Sequence, residues 1–158
     1  MISFFLSVIR PVGLVLILAA AAVTDLVSKK IPNRLIRIGL YLWLICQILA
    51  FPGWIRLLQR AGGAVLMAAV LFLLAVLTDR LFHKRGLGSG DIKLLFIVTL
   101  FLGVMNTLNA LFAALLGALV LIAAGLFKKS IWVWLKGSFP FAPFIAFGTI
   151  LVIIFKGL

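Results

Sequence analysis

Acidic side chains are nearly missing from this 158-residue chain, which has three aspartates and no glutamate. It also has a single cysteine, Cys46, and a single histidine, His83. One thiol excludes an intrachain disulfide and any zinc site built from several cysteines. His83 lies beside basic residues with no Cys or Glu near it, so we expect no metal and no cofactor. The chain also lacks the Gly-x-Ser-x-Gly elbow of many hydrolases and the Gly-Lys-Ser/Thr ending of a phosphate-binding loop.

Apolar residues, by contrast, make up 66% of the chain, and the mean hydropathy is +1.36. A soluble domain of this length is about half apolar, so the excess predicts an integral membrane protein. We predict one domain over residues 1–158, all-α, with about six transmembrane helices, because a lone span must satisfy its own backbone hydrogen bonds. The predicted spans are 2–26, 35–51, 61–82, 92–104, 108–127 and 139–155. The fourth is short, reaching only about 20 Å.

The basic residues indicate how the chain is oriented rather than a nucleic-acid partner. The net charge is +12, but the Lys and Arg residues lie in the breaks between apolar runs, where they act as orientation signals. These breaks include a basic turn at 28–34, a second at 51–63 and a glycine-rich loop at 83–90. Cations in the odd-numbered breaks predict that these face the cytoplasm, with both termini outside: Lys29, Lys30, Arg34, Arg37, Arg80, Lys84, Arg85, Lys93, Lys128, Lys129 and Lys136. The other side has only Arg10, Arg56, Arg60 and Lys156.

Two of the three aspartates are predicted to meet. Asp25 closes the first span and Asp91 opens the fourth, so the alternation of helix direction places both at the cytoplasmic face. Two carboxyls in a partly dry site share a proton, which suits general acid–base hydrolysis of a peptide. The residues alone leave other interpretations open. Asp25 could neutralise a neighbouring lysine, and Asp91 could be a first-turn acid favoured by the helix dipole. Asp79 stands beside Arg80, which favours a structural role.

The contexts of these acids resemble a known family. The stretch DLVSKKIPNRL at 25–35 is similar to the first catalytic region of type IV prepilin peptidases. The stretch GSGDIKLL at 88–95 resembles their Gly-x-Gly-Asp motif, and FPFAPFIAFG at 139–148 resembles their last helix. The three regions occur in the family's order, and with the six spans the resemblance covers nearly the whole chain.

The resemblance implies an aspartyl dyad of Asp25 and Asp91 in the plasma (inner) membrane. The implied partners are the lipid bilayer and a prepilin-like protein, cut at the cytoplasmic face between a basic leader and an apolar helix. Gly88 and Gly90 are expected to let the backbone turn sharply and approach substrate closely. We expect Lys93 to bias the charge of the dyad or to meet an acidic substrate residue. The sequence does not predict an oligomeric state.

Many bacterial members of the family also have an N-terminal methyltransferase region with paired Cys-x-x-Cys motifs. We expect this chain to lack that region. The chain therefore resembles the short, peptidase-only type. The sequence leaves two alternatives open. Another intramembrane Gly-x-Gly-Asp protease, of the signal-peptide-peptidase or presenilin kind, would match only at the second aspartate. A small membrane transporter or assembly subunit without enzyme activity should carry polar groups near mid-membrane, where this sequence is apolar.

Overall fold

The computed structural model of the chain describes residues 2–28, 31–50, 53–82, 88–123 and 141–157. Within these ranges every regular element is an α-helix, and there are six: α1 (Ile2–Ser28), α2 (Asn33–Ala50), α3 (Trp54–Phe82), α4 (Ser89–Leu102), α5 (Val104–Ala123) and α6 (Ala142–Lys156). Most of the predicted glycine-rich loop, residues 83–87 with His83, lies outside the described residues. So does the predicted break between the last two spans.

The first two helices run antiparallel. The side chain of Leu42 in α2 covers Gly13 of α1, and about one turn along, Ile17 of α1 lies beside Gly39 of α2. Because the contact moves forward along one helix as it moves backward along the other, the two directions are opposite.

The last two helices also form a close antiparallel pair. Lys156 Nζ, at the end of α6, donates to Asn106 Oδ1, near the start of α5, at 2.7 Å. At the other end of the pair, Phe144 packs with Ala118 in a small apolar cluster. Between them, Gly148 of α6 lies directly against the α5 backbone at Ala110. This interface uses small residues so that two helix backbones come within van der Waals contact.

The short α4 is the central helix of the bundle. It contacts the other five helices, and most of its side chains are buried: Asp91, Leu94, Leu95, Ile97, Val98, Thr99, Leu100 and Phe101. Since protein surrounds α4, its 14 residues do not have to match the thickness of the lipid. The prediction of a short fourth helix is confirmed. Because Asp91 lies on this central helix, its polar side chain is buried.

The boundary between α4 and α5 differs from the prediction. The predicted span 92–104 includes Val104, but α4 ends at Leu102 and Val104 begins α5. The single residue between them, Gly103, has φ 80°, and its N–H donates to the Thr99 carbonyl at 2.8 Å. A left-handed backbone of this kind favours glycine, which lets one residue reverse the chain. The hydropathy of the flanking residues is continuous, so it did not reveal the break.

The start of α3 is a second correction. The sequence predicted a break at 51–63, whereas α3 is helical from Trp54 onward. Two adjacent glycines, Gly62 and Gly63, each lower helix propensity by about 1 kcal/mol. Tertiary packing overrides this, because Gly63 lies under Val104 of α5, and Arg60 Nη1 donates to the Phe101 carbonyl at 3.2 Å.

Four helices are long and apolar enough to cross a membrane, over Val8–Ser28, Asn33–Ala50, Trp54–Arg80 and Val104–Leu121, and α6 is a shorter apolar helix. Large apolar side chains remain exposed on their outer faces, such as Leu16, Phe72 and Phe112, each more than 60% exposed. In water this surface would be strongly unfavourable, and in a bilayer it contacts lipid tails. The chain is an all-α, multi-pass membrane protein, as predicted. The start of α1 and the end of α6 lie at the same end of the bundle, because the last turn of α1 meets the first residue of α6 at the other end.

Candidate active site

Asp25 lies in the last turn of α1, and only 7% of its surface is exposed. Its Oδ2 accepts a hydrogen bond from the backbone N–H of Ala142 at 3.2 Å. Ala142 is the first residue of α6, with Pro143 following it, so its N–H has no partner inside the helix. A carboxylate at this position is also favoured by the α6 macrodipole. The start of the last helix therefore holds the first aspartate in place.

Asp91 lies in the first turn of α4 and is 9% exposed. The backbone N–H of Gly88, the residue before α4, donates to its carboxylate. The backbone N–H of Asp91 in turn donates to the Gly88 carbonyl at 3.0 Å. The carboxylate thus folds back over the start of its own helix.

The glycine at 88 is needed for space rather than for a sharp turn. Gly88 has φ −69° and ψ 139°, a conformation open to any residue, which differs from the predicted explanation. A Cβ added there would lie 3.0 Å from Asp91 Oδ2. The missing side chain is what allows the carboxylate to sit against the backbone.

The structure brings Asp25 and Asp91 to the same end of the bundle. The charge of Asp25 acts on the Asp91 carboxyl, so the two groups are within electrostatic range of each other. They come from antiparallel helices, one at its C-terminal end and one at its N-terminal end, as the alternation of spans implied. Two buried carboxyls of like charge interact strongly because little water screens them. Asp79, in contrast, is exposed on α3.

Ile31, just before α2, and Asn33, the first residue of α2, both contact the start of α4. Ile31 packs against Gly90, where an added Cβ would meet three of its side-chain carbons at 3.3 Å. Lys93 Nζ donates to Asn33 Oδ1 at 3.0 Å. Gly90 is therefore also required for close packing, and Lys93 is held by a residue of the first motif. The role in the dyad's charge that the sequence suggested for Lys93 stays a prediction.

Three residues that position the site had no role in the sequence interpretation: Ile31, Asn33 and Ala142. All three lie inside the motifs at 25–35 and 139–148, so the motifs marked their neighbourhood. Their partners are about 60 to 117 residues away in the sequence, and only the fold shows the pairing.

The described parts of the chain contain no group of three or more His, Cys, Asp or Glu side chains that could hold a metal ion. What the site offers is a pair of carboxyls that can hold and move protons, each oriented by a backbone N–H. Such a pair can activate a water molecule on one side and protonate a substrate atom on the other.

Comparison with known proteins identifies the family of the chain. The prepilin leader peptidase/N-methyltransferase of Bacillus subtilis (strain 168) is 33% identical over 144 residues, covering 88% of this chain and 52% of that protein. The chain therefore spans about half the length of this curated relative. No solved structure matches this chain significantly. The model of the type IV leader peptidase family matches residues 12–123, a range that contains both buried aspartates. The chain belongs to the type IV leader peptidase family.

Proposed function

We propose that this protein is a membrane aspartyl endopeptidase that removes the leader from type IV prepilin-like precursors, including pilins, pseudopilins and Flp-type pilins. One observation carries the proposal: Asp25 and Asp91, from two different helices, are both buried at one end of the bundle and interact electrostatically. Family membership supports the reaction, and the 33% identical relative is named for prepilin leader cleavage.

In the proposed mechanism the pair binds a water molecule while carrying one proton between its two carboxyls. The ionised carboxyl takes a proton from the water as its oxygen attacks the scissile carbonyl carbon. The protonated carboxyl donates its proton to the carbonyl oxygen, giving a neutral tetrahedral intermediate. Collapse of this intermediate breaks the C–N bond: the carboxyl that took the water proton gives it to the leaving nitrogen, and a hydroxyl of the intermediate gives its proton to the other carboxyl. The pair then again carries one proton. Hydrogen bonds from Ala142 and Gly88 orient the carboxyls for these transfers.

The location of the pair supports cleavage at the cytoplasmic face. The ends of the helices near Asp25 and Asp91 are those connected by the lysine- and arginine-rich breaks, which favour the cytoplasm. A type IV prepilin presents its basic leader on that side and its apolar helix in the membrane. The scissile bond would then lie level with the two aspartates.

The proposed function is tested by reconstituting the purified protein in vesicles with a type IV prepilin and, separately, with a secretory precursor that has an ordinary signal peptide. We expect mass spectrometry to show one cut in the prepilin, between leader and apolar helix, and none in the secretory precursor. Cutting of the secretory precursor alone would contradict the proposal and favour a signal-peptide-peptidase activity. In oriented vesicles, leader release only on the cytoplasmic side is expected.

Gly88→Ala is expected to reduce cleavage about 100-fold while leaving the thermal midpoint within about 2 °C of wild type. The added methyl would press on Asp91 Oδ2, the end of a side chain that can rotate away, so the fold tolerates it. The carboxylate, however, loses its position at the Gly88 backbone. The check is kcat measured beside a melting curve. Full activity in Gly88→Ala would contradict this role for the glycine.

Lys93→Met is expected to lower cleavage by up to about tenfold, since a charge-assisted hydrogen bond contributes about 1.5 kcal/mol. If Lys93 acts through Asn33, then Asn33→Ala should show a similar loss, and the double variant should be no slower than either single one. Arg37→Gln is the matched control, because Arg37 is another exposed cation near the start of α2. Additive losses in the double variant would mean that Lys93 acts separately from Asn33.

A further inference from the structure

Three arginines converge at the end of the bundle opposite the two aspartates. Arg10 comes from α1, and Arg56 and Arg60 come from the first turns of α3. Arg10 and Arg60 donate to carbonyls near the ends of α2 and α4, Arg56 lies one turn before Arg60, and the charges of Arg10 and Arg56 both act on the Arg60 guanidinium. We call Arg10, Arg56 and Arg60 the arginine cluster.

The arginine cluster faces no acidic side chain. The whole chain has only Asp25, Asp79 and Asp91, and all three lie toward the other end of their helices. The described partners of the cluster are neutral: Arg10 donates to the Cys46 carbonyl at 3.1 Å and Arg60 to the Phe101 carbonyl. Each of these bonds uses one of the five N–H groups of a guanidinium. Three like charges, two of them partly buried, are unfavourable together unless an anion compensates them.

The surroundings of the cluster have the chemistry of a lipid headgroup site. The cluster lies near the ends of α2 and α4 and the start of α3, and the ends of membrane-spanning helices are where interfacial side chains are found. Arg56, alone of the three arginines, also lines a shallow, open cleft of about 380 Å³ together with Gly53, Trp54, Ile55 and Gln59. Trp54 is 68% exposed, as suits an aromatic side chain at the interface, and the neighbouring apolar Ile55 is 73% exposed.

We propose that the arginine cluster binds the phosphate of an anionic phospholipid in the leaflet opposite the active site. Guanidinium groups bind phosphate oxygens through paired N–H donors, and several of them compensate a headgroup with a net negative charge. The acyl chains of this lipid would lie along the exposed apolar side chains next to the cleft. The bound lipid would join α1 to α3 at the end where they are otherwise repelled by their own charges.

The test uses the full chain in a non-ionic detergent, with thermal unfolding followed by tryptophan fluorescence. Added phosphatidylglycerol should raise the midpoint by about 4 °C at saturation, while phosphatidylcholine should raise it by less than about 1 °C. Inorganic phosphate at millimolar concentration should have no effect. An equal rise with inorganic phosphate would overturn the lipid assignment in favour of a free anion, and an equal rise with phosphatidylcholine would overturn the requirement for net charge.

Two variants make the test specific to the cluster. Arg56→Gln removes an exposed member and should still fold, and we expect it to lose most of the phosphatidylglycerol shift. Lys156→Gln removes a cation at the same end that is bonded to Asn106 instead, and it should keep the shift. Native mass spectrometry should likewise find anionic lipid retained by wild type and Lys156→Gln but depleted in Arg56→Gln. Equal retention by Arg56→Gln and wild type would contradict the proposal.

Discussion

Cleavage of a prepilin should fall by about 10² to 10⁴-fold in Asp25→Asn and in Asp91→Asn, since each change removes a group that transfers a proton in the proposed reaction. Asparagine has nearly the same shape as aspartate. It can still accept the hydrogen bond from Ala142 or Gly88, so the helices should remain in place. The measurement is initial rate of leader release in vesicles, at equal amounts of inserted protein.

Asp79→Asn is the matched control for these two variants. It removes the third and last acidic side chain of the protein, but from the exposed face of α3 rather than from the buried pair. Activity near that of wild type is expected. Full activity in either Asp25→Asn or Asp91→Asn would contradict the aspartyl mechanism, and a loss in all three variants would point to a general effect of charge.

Gly148→Ala should be the most destabilising small substitution in the described part of the chain, lowering stability by about 3 kcal/mol or more. A Cβ at this position would overlap the Ala110 carbonyl oxygen and approach the Ala114 nitrogen to 2.9 Å. Both are backbone atoms of α5, which cannot rotate away as a side chain can. Because α5 and α6 must separate, we expect the thermal midpoint to fall by about 10 °C.

Gly117→Ala is the control at the same interface. Its added Cβ would lie 3.5 Å from the ring of Phe147, an ordinary van der Waals contact. The alanine also favours the helix by about 1 kcal/mol over glycine. The midpoint of Gly117→Ala should therefore equal or exceed that of wild type. A similar fall in both variants would mean that the interface tolerates no change at all, rather than requiring close backbone contact at Gly148.

The arrangement of the two aspartates could be predicted from the sequence because it depends on direction alone. Successive membrane-spanning helices run in opposite directions. The end of the first helix and the start of the fourth must therefore lie at the same end of the bundle, and these positions hold Asp25 and Asp91. The short fourth helix was also predictable from its length. Its central position explains why an acid at its start is buried, and the helix pattern alone did not show this.

The errors of the sequence interpretation have a common physical cause, which is packing between distant segments. Hydropathy runs smoothly past Gly103, where a left-handed backbone conformation ends α4. The hydropathy falls at residues 54–60, but contacts with α4 and α5 keep this part of α3 helical. The turn role expected of Gly88 was wrong for a related reason. A glycine is needed at this position because the Asp91 carboxylate lies against its backbone, where a side chain would not fit.

The contacts that position the two aspartates and Lys93 likewise could not be predicted from the sequence. Asn33 lies in the basic turn predicted at 28–34 without a role of its own, but its side chain accepts a hydrogen bond from Lys93 on another helix. Ala142 has no side-chain chemistry, and it orients Asp25 through a backbone N–H that any residue except proline would carry. The family motifs marked both regions, and only the fold shows which atoms meet.

The scarcity of acids makes the central claim directly measurable by NMR. Aspartate labelled with ¹³C at its carboxyl carbon gives three side-chain signals in this protein, and Asp79→Asn leaves only those of Asp25 and Asp91. If the two carboxyls form one proton-sharing pair, both signals should change over the same titration steps, and Asp25→Asn should alter the titration of Asp91. An Asp91 titration that is the same with and without the Asp25 carboxyl would contradict the dyad.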